Sequence, residues 1–209
     1  AAIGLAGGNI EGSGTRGLNP YLCEAPGLVI IVSKIQMYPK EYYEKGLPIV
    51  TVATRRTAPD ALSPRVKSLN YLNNIIAKME AVHSGVLEAL MLDSQGFVAE
   101  CTGDNFFLVK NGVLITPPTY QGALRGVTRD AVIELAKKEG IEVCEERLTL
   151  YEVYTADEAF LTGTAAELVP VNRIDNRPIG EGFIGPITKT LLEKYKEITT
   201  VDGVRFEGR

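Results

Sequence analysis

Apolar positions along the chain recur in two rhythms. Short runs or alternations rich in β-branched and aromatic residues predict strands at residues 28–32, 49–53, 87–92, 97–101, 106–109, 113–115, 141–147, 159–162 and 169–174. The run at 28–32 is continuous and mostly β-branched, which predicts a buried strand. Helical spacing appears three times. Leu69, Leu72, Ile76 and Met79 recur at three- and four-residue steps, with Ile75 and Val82 widening the stripe. That predicts a helix from Ser68 to about His83, closed by Gly85. Thr128 caps a second helix running to about Glu139, with Val132, Leu135 and Ala136 on one face. A third begins with Pro186 in its first turn and runs to about Ile198. Residues 39–45 and 151–156 read as short helical turns, and Asn111-Gly112 between two strand runs reads as a hairpin. Residues 1–17 are rich in glycine and small side chains, and read as a linker or cut edge in loop or disordered form. Strands outnumber helices and come in hairpins. The fold class is therefore α+β, a mixed, largely antiparallel sheet with flanking helices.

Composition narrows the function classes. The 209 residues suffice for one sizeable domain or two small ones, with 45% hydrophobic and 23% charged positions typical of a globular protein. A net charge of -4 argues against nucleic acid or an anionic membrane as a partner. No apolar run approaches the roughly 20 residues of a membrane span, and no basic stretch leads into an apolar one as in a signal peptide. Cys23, Cys101 and Cys144 match neither a zinc spacing nor a disulfide framework, which suits a reducing cytoplasm. The single histidine, His83, removes most histidine-based mechanisms and reads as a helix C-terminal residue.

Candidate chemistry starts at Lys67. On this reading it lies at or just before a helix N-terminus, where the free N–H groups disfavour a cation and favour a nucleophilic amine able to form a Schiff base. A solvated lysine beside a helix is the plain alternative. Glu100 follows a Phe-Val-Ala run and precedes Thr-Gly-Asp-Asn, so it is at least half enclosed and needs a cationic partner or a proton. Residues 124–128 and 162–166 each offer glycine-flanked N–H groups and a threonine hydroxyl, the means by which a phosphate is bound without a charged side chain. Taken singly, these loops are a threonine cap and a tight turn. A lysine for an imine, a carboxylate for a protonated ring nitrogen and two clusters for a phosphate together match pyridoxal 5'-phosphate.

KSLNYLNN, AECTGDNFFLVKNGVLITPP, ALRGVTRDAVIELAKKEGIEV and FLTGTAAELVPV, in this order, resemble the fold-type IV aminotransferases, closest to the branched-chain amino acid aminotransferases. The resemblance implies that Lys67 is the Schiff-base lysine and Glu100 the partner of the pyridine nitrogen. Tyr71 would neighbour the cofactor's phenolic oxygen, and Leu124 would lie against the ring. Gly126, Val127, Thr128 and Thr164 would hold the phosphate, and the backbone at Thr164-Ala165-Ala166 would meet the substrate carboxylate. It further implies a pseudo-barrel large domain over residues 18–209, a homodimer or higher homo-oligomer, and amino-group transfer between branched-chain L-amino acids and 2-oxoglutarate. The resemblance also implies a small N-terminal domain ahead of this region, most of which would be missing from this chain. D-amino acid aminotransferase, aminodeoxychorismate lyase and an inactive cofactor-binding or assembly fragment stay open as alternatives.

Overall fold

Tyr38 begins the larger of two compact units into which the chain divides, 1–37 and 38–209. The computed structural model describes residues 2–7, 21, 28–33, 38–201 and 203. In the first unit, β1 (Ala2–Gly7) pairs antiparallel with β2 (Leu28–Ser33), Leu5 opposite Ile30. β1 thus occupies residues that the glycine content suggests are loop. A six-residue ladder to β2 supplies the hydrogen bonds that offset the entropic cost of its glycines. Ile30 and Ile31 are 59% and 63% exposed, so the apolar run of β2 does not mark a buried strand. A two-stranded ladder has no inner strand to bury. The remainder of the stretch read as loop, residues 8–17, lies outside the described residues.

The second unit is built on α1 (Lys40–Lys45), β3 (Leu47–Thr51), α2 (Leu72–His83), β4 (Glu88–Leu92), β5 (Val98–Cys101), β6 (Asn105–Lys110) and β7 (Val113–Thr116). There follow α3 (Val127–Lys138), β8 (Val143–Glu145), α4 (Leu150–Tyr154), β9 (Glu158–Gly163), β10 (Glu167–Ile174), β11 (Arg177–Pro178) and α5 (Pro186–Val201). The strands form one mixed sheet in the order β5-β4-β3-β10-β9-β6-β7-β8, with β11 on β10. β3 pairs parallel with β4 and β10, and β7 with β8, while the remaining ladders are antiparallel. The expected mixed, largely antiparallel sheet with flanking helices is therefore what forms. Asn111 and Gly112 take φ of 49° and 80°, as a tight two-residue hairpin turn requires.

Strand alternation divides the core. Phe106 and Leu108 enter one apolar cluster with Leu47, Ile49, Leu90 and Leu161. Phe107 and Val109 enter another with Val132, Leu135, Phe160 and Leu191, the layer under α3 and α5. Phe107 and Phe160, cross-strand neighbours, stack with centroids 5.0 Å apart. β4 is buried at every residue, including Glu88. Among the described residues no helix is long and apolar enough to cross a membrane.

Two helix expectations need correction. α2 starts at Leu72, with Tyr71 as N-cap, rather than at Ser68. Its buried residues are Asn74, Ala77 and Ala81. The apolar stripe faces away from this chain's core, with Met79 54% and Val82 59% exposed. α3 is capped by Gly126, and Thr128 is the helix's second residue, not its cap.

Candidate functional site

Glu100 lies on β5, opposite Met91 of β4, and is 5% exposed. Its Oε1 accepts from Arg56 Nη2 at 2.6 Å, and its Oε2 from Asn105 Nδ2 at 3.1 Å and Leu124 N at 2.9 Å. Burial pushes its pKa above the ordinary carboxylate value, and the Arg56 guanidinium and Leu124 N–H pull against that. A carboxylate offers about four lone-pair sites. Three donors occupy it here, so one site remains for a donor arriving in the cleft.

Arg56 is itself fixed on both flanks. Its Nε donates to Gly122 O at 3.0 Å and its Nη1 to Asn74 Oδ1 at 2.6 Å. Asn74 Nδ2 in turn donates to Thr102 O at 2.7 Å. The adjacent Asn73 accepts from Thr57 N at 3.0 Å and donates to Arg55 O at 2.8 Å. Two asparagines in the first turn of α2 thus stitch that helix to the segment following β3. This explains why α2 begins where it does without a side-chain cap.

Lys67 lies in the irregular segment before α2, five residues ahead of its first helical residue. Ser68 N donates to Val66 O and Tyr71 N to Leu69 O, both at 2.8 Å, and these tight turns hold the segment. The Lys67 Nζ donates to Tyr71 Oη at 3.2 Å. Both residues line a cleft with Arg56, Asn74, Glu100 and Leu124.

A neighbouring part of the cleft is lined by Lys67, Leu124, Gly126, Val127, Thr128 and Thr164. Lys67, Gly103, Asn105 and Leu124 line both parts, so the two adjoin. Gly126 offers no side chain to cap α3, so the first N–H groups of a 12-residue helix face this space uncapped. A Cβ on Gly126 would stand 2.2 Å from Asn105 Oδ1, so glycine lets the helix start approach that side chain. Thr162 also lines the space, and its buried Oγ1 has no hydrogen-bond partner.

The structure therefore brings eight of the sequence-derived residues into one cleft: Lys67, Tyr71, Glu100, Leu124, Gly126, Val127, Thr128 and Thr164. Ala165 and Ala166 line neither part. Ala165 is exposed, and Ala166 is buried with its carbonyl accepting from Tyr43 Oη at 3.0 Å. Sequence reasoning missed Arg56, Asn74 and Asn105. The need of a buried Glu100 for a cation was a signal, and Arg55-Arg56 after a strand was the place to look. The asparagines carried no periodic signal.

The arrangement can place an amine near one face of a planar ligand, a carboxylate at its far edge and an uncapped helix N-terminus at an anionic group. The family model for amino-transferase class IV matches residues 9–174. A protein of Methanocaldococcus jannaschii is 54% identical over 195 residues, 93% of this chain and 67% of that one. Its own assignment as a branched-chain-amino-acid aminotransferase is provisional. The Escherichia coli branched-chain-amino-acid aminotransferase is 42% identical over 156 residues, 74% of this chain and 50% of the relative. The solved E. coli enzyme superposes with a TM-score of 0.86 at 38% identity, covering 90% of this chain and 62% of that one. The branched-chain amino acid aminotransferase of T.th., solved with pyridoxamine 5'-phosphate, gives 0.84 at 41%, again covering 90% and 62%. The chain thus spans about half to two thirds of the length of these relatives.

Proposed function

This chain belongs to the class IV aminotransferases, and on that footing we propose that its cleft binds pyridoxal 5'-phosphate and transfers amino groups. The substrates are branched-chain L-amino acids, with 2-oxoglutarate as acceptor. The observation that carries this reading is the single cleft holding Lys67, a buried Glu100 with one acceptor site left, and the uncapped start of α3. We place the cofactor-binding unit within residues 18–209, of which 38–209 form the compact body.

When bound, the cofactor supplies an electron sink that acidifies the substrate α-carbon. The chain's residues do the rest. Glu100 holds the pyridine nitrogen's proton in place, and Arg56, Asn105 and Leu124 N–H keep the carboxylate from turning away. Gly126, Val127 and Thr128 present α3's free N–H groups to the phosphate, joined by Thr164. Lys67 would anchor the cofactor at rest, and its freed Nζ would carry the proton from the substrate α-carbon to the cofactor carbon that ends up bearing the amino group. The Tyr71 hydroxyl orients that amine from 3.2 Å. Leu124 would pack on the ring, and of the residues expected to meet the substrate carboxylate, Thr164 is the one that lines the cleft.

We further assign a homodimer in the cytoplasm. α2 turns Leu72, Ile75, Ile76, Met79 and Val82 outward, a contiguous apolar face of the kind monomers rarely leave bare. The test is the visible spectrum of the chain with pyridoxal 5'-phosphate beside Lys67→Ala, followed by borohydride reduction and peptide mapping. An imine band lost in the variant, with the adduct on Lys67, supports the reading. An adduct spread over surface lysines refutes it. L-leucine, D-alanine and aminodeoxychorismate as donors separate the branched-chain reading from its rivals.

A further inference from the structure

At the wall of the cleft, where Asp104 lines it, begins a second cluster of ionisable groups for which the proposed chemistry has no use. Glu88, 1% exposed on β4, is fully served as an anion. Its Oε1 accepts from Ala89 N at 2.8 Å, Thr102 N at 2.9 Å and Thr102 Oγ1 at 2.5 Å. Its Oε2 accepts from Lys78 Nζ at 2.8 Å and Tyr38 Oη at 3.2 Å. Asp104, 8% exposed, is placed otherwise. Tyr38 Oη, 3.0 Å from Oδ2, is the partner its carboxyl has among the described residues. Asp104 Oδ1 stands 2.2 Å from where a Cβ on Gly163 would be. One phenol carries one hydrogen and stands between two buried carboxyls. Glu88 has four other donors, whereas an ionised Asp104 would have that one hydrogen alone in a desolvated site.

We infer that Asp104 takes up a proton under mildly acid conditions, as a neutral carboxylic acid that donates to Tyr38 Oη while Tyr38 donates to Glu88, and that this added proton positions the 102–105 turn at the cofactor site. The turn matters because Asn105, next in sequence, donates to both Glu100 and Leu124 O, the latter at 2.9 Å. Asp104 meets Gly163 as Asn105 meets Gly126, so both anion-facing loops rest on this turn. The groups facing Asp104 are Glu88 on β4, Lys78 on α2, Cys101 on β5, Tyr38 just before α1 and Tyr43 within it. Burial first, then Glu88, raises the Asp104 pKa to about 6, and Tyr38 and Lys78 oppose this. Asp104 is thus a positioning residue. Its proton is held below about pH 6 and lost above, and loss loosens the Glu100 cradle.

The consequence for the cofactor rests on the proposed function, whereas the proton itself does not, and the test separates them. In the ligand-free chain, isotope-edited infrared spectra follow the carbonyl band of protonated carboxyl groups with pH. The expected result is a component that vanishes with a midpoint near 6 and is absent from Asp104→Asn. Lys78→Met, altering a part-exposed side chain, removes the cation opposing the proton and moves that midpoint up. A spectrum with no such component, or a midpoint indifferent to Lys78→Met, overturns the assignment. The second arm measures pyridoxamine 5'-phosphate affinity, which involves no imine with Lys67. Parent and Asp104→Asn bind alike at pH 5, and at pH 7.5 the variant binds about fivefold tighter. A ratio that does not change with pH removes the positioning role even if the proton is present. Failure of every variant and the parent to bind pyridoxamine 5'-phosphate counts against the functional reading and leaves the infrared result standing.

Discussion

Replacing Arg56 by methionine removes the cation of a buried pair while keeping an unbranched side chain of similar length. Both partners are nearly enclosed, with 10% of the Arg56 and 7% of the Glu100 side chain exposed. Losing one partner of such a pair costs about 3–5 kcal/mol, because the other charge stays buried and uncompensated. Two further acceptors, Gly122 O and Asn74 Oδ1, lose their donor as well. Glu100 retains Asn105 and Leu124 N–H, which places the expectation at the lower end, about 3 kcal/mol. For a chain of this size that lowers Tm by roughly 6–12 °C. The pH dependence carries a definite sign. The Glu100 pKa is raised in the folded protein, so the folded state binds that proton more tightly than the unfolded one. Stability is therefore lost as pH rises from the ordinary value of 4.5 through the folded value. Arg56 opposes this rise, so the penalty of Arg56→Met is smallest at acid pH, where Glu100 is neutral, and grows towards neutrality. Urea unfolding of the parent, Arg56→Met, Glu100→Gln and the double variant at pH 4 and pH 7.5 measures it. The double variant recovers at least about 2 kcal/mol of the single loss at pH 7.5. A single-variant cost below about 1 kcal/mol, or a cost equal at both pH values, refutes the reasoning.

Other perturbations test other joints of the fold and site. Gly126→Ala has no backbone strain to contend with, since φ is -71°, but its methyl meets Asn105 Oδ1 at 2.2 Å. It costs about 1–3 kcal/mol and weakens pyridoxamine 5'-phosphate binding, and adding Asn105→Ser restores part of the stability. No loss in a thermal melt would mean that Asn105 yields freely. Glu158 caps α5 by accepting from Ile187 N at 3.1 Å and Thr188 N at 2.7 Å. Glu158→Ala costs about 1–2 kcal/mol, read as loss of amide-exchange protection confined to the first turn of α5. Protection unchanged there would show that water caps the helix equally well. Ile76→Lys with Met79→Glu places charges on the bare face of α2 and shifts sedimentation to the monomer without lowering helicity. A dimer that persists would assign the contact to another surface.

What the sequence disclosed follows from which physical signals are local. The Asn111-Gly112 turn was legible because few residue pairs accept two positive φ values in succession. β9 and β10 were legible as apolar runs between turn residues. The start of α2 was not, because apolar periodicity reports which residues leave water, not what they pack against. Leu69 fits the stripe yet precedes the helix, and the residues that α2 buries in its own chain are Asn74 and two alanines. The Thr128 cap was displaced for a related reason. Gly126 comes within reach of Asn105, 21 positions earlier, and that contact sets where α3 can begin. Glu100 and Lys67 were visible as residue types that need explaining. Arg56 became identifiable only through the contact it makes across 44 positions.

The parallel ladder of β3 with β10 has a consequence for how the chain is made. Thr51, at the end of β3, donates through its N–H and its hydroxyl to Asp175, 124 positions later. A ribosome adding about 5–20 residues per second takes roughly 6–25 seconds to cover that interval. Through that time one edge of β3, carrying Leu47 and Ile49, has no strand to pair with. β4 and β5 can close the other edge early, as a small template that waits for the carboxyl-terminal third. Rare codons that slow translation between β4 and β10 would lengthen the exposure of that edge. Holding factors that shield nascent strands therefore have a defined window in which to act on this protein, and it closes when β10 docks.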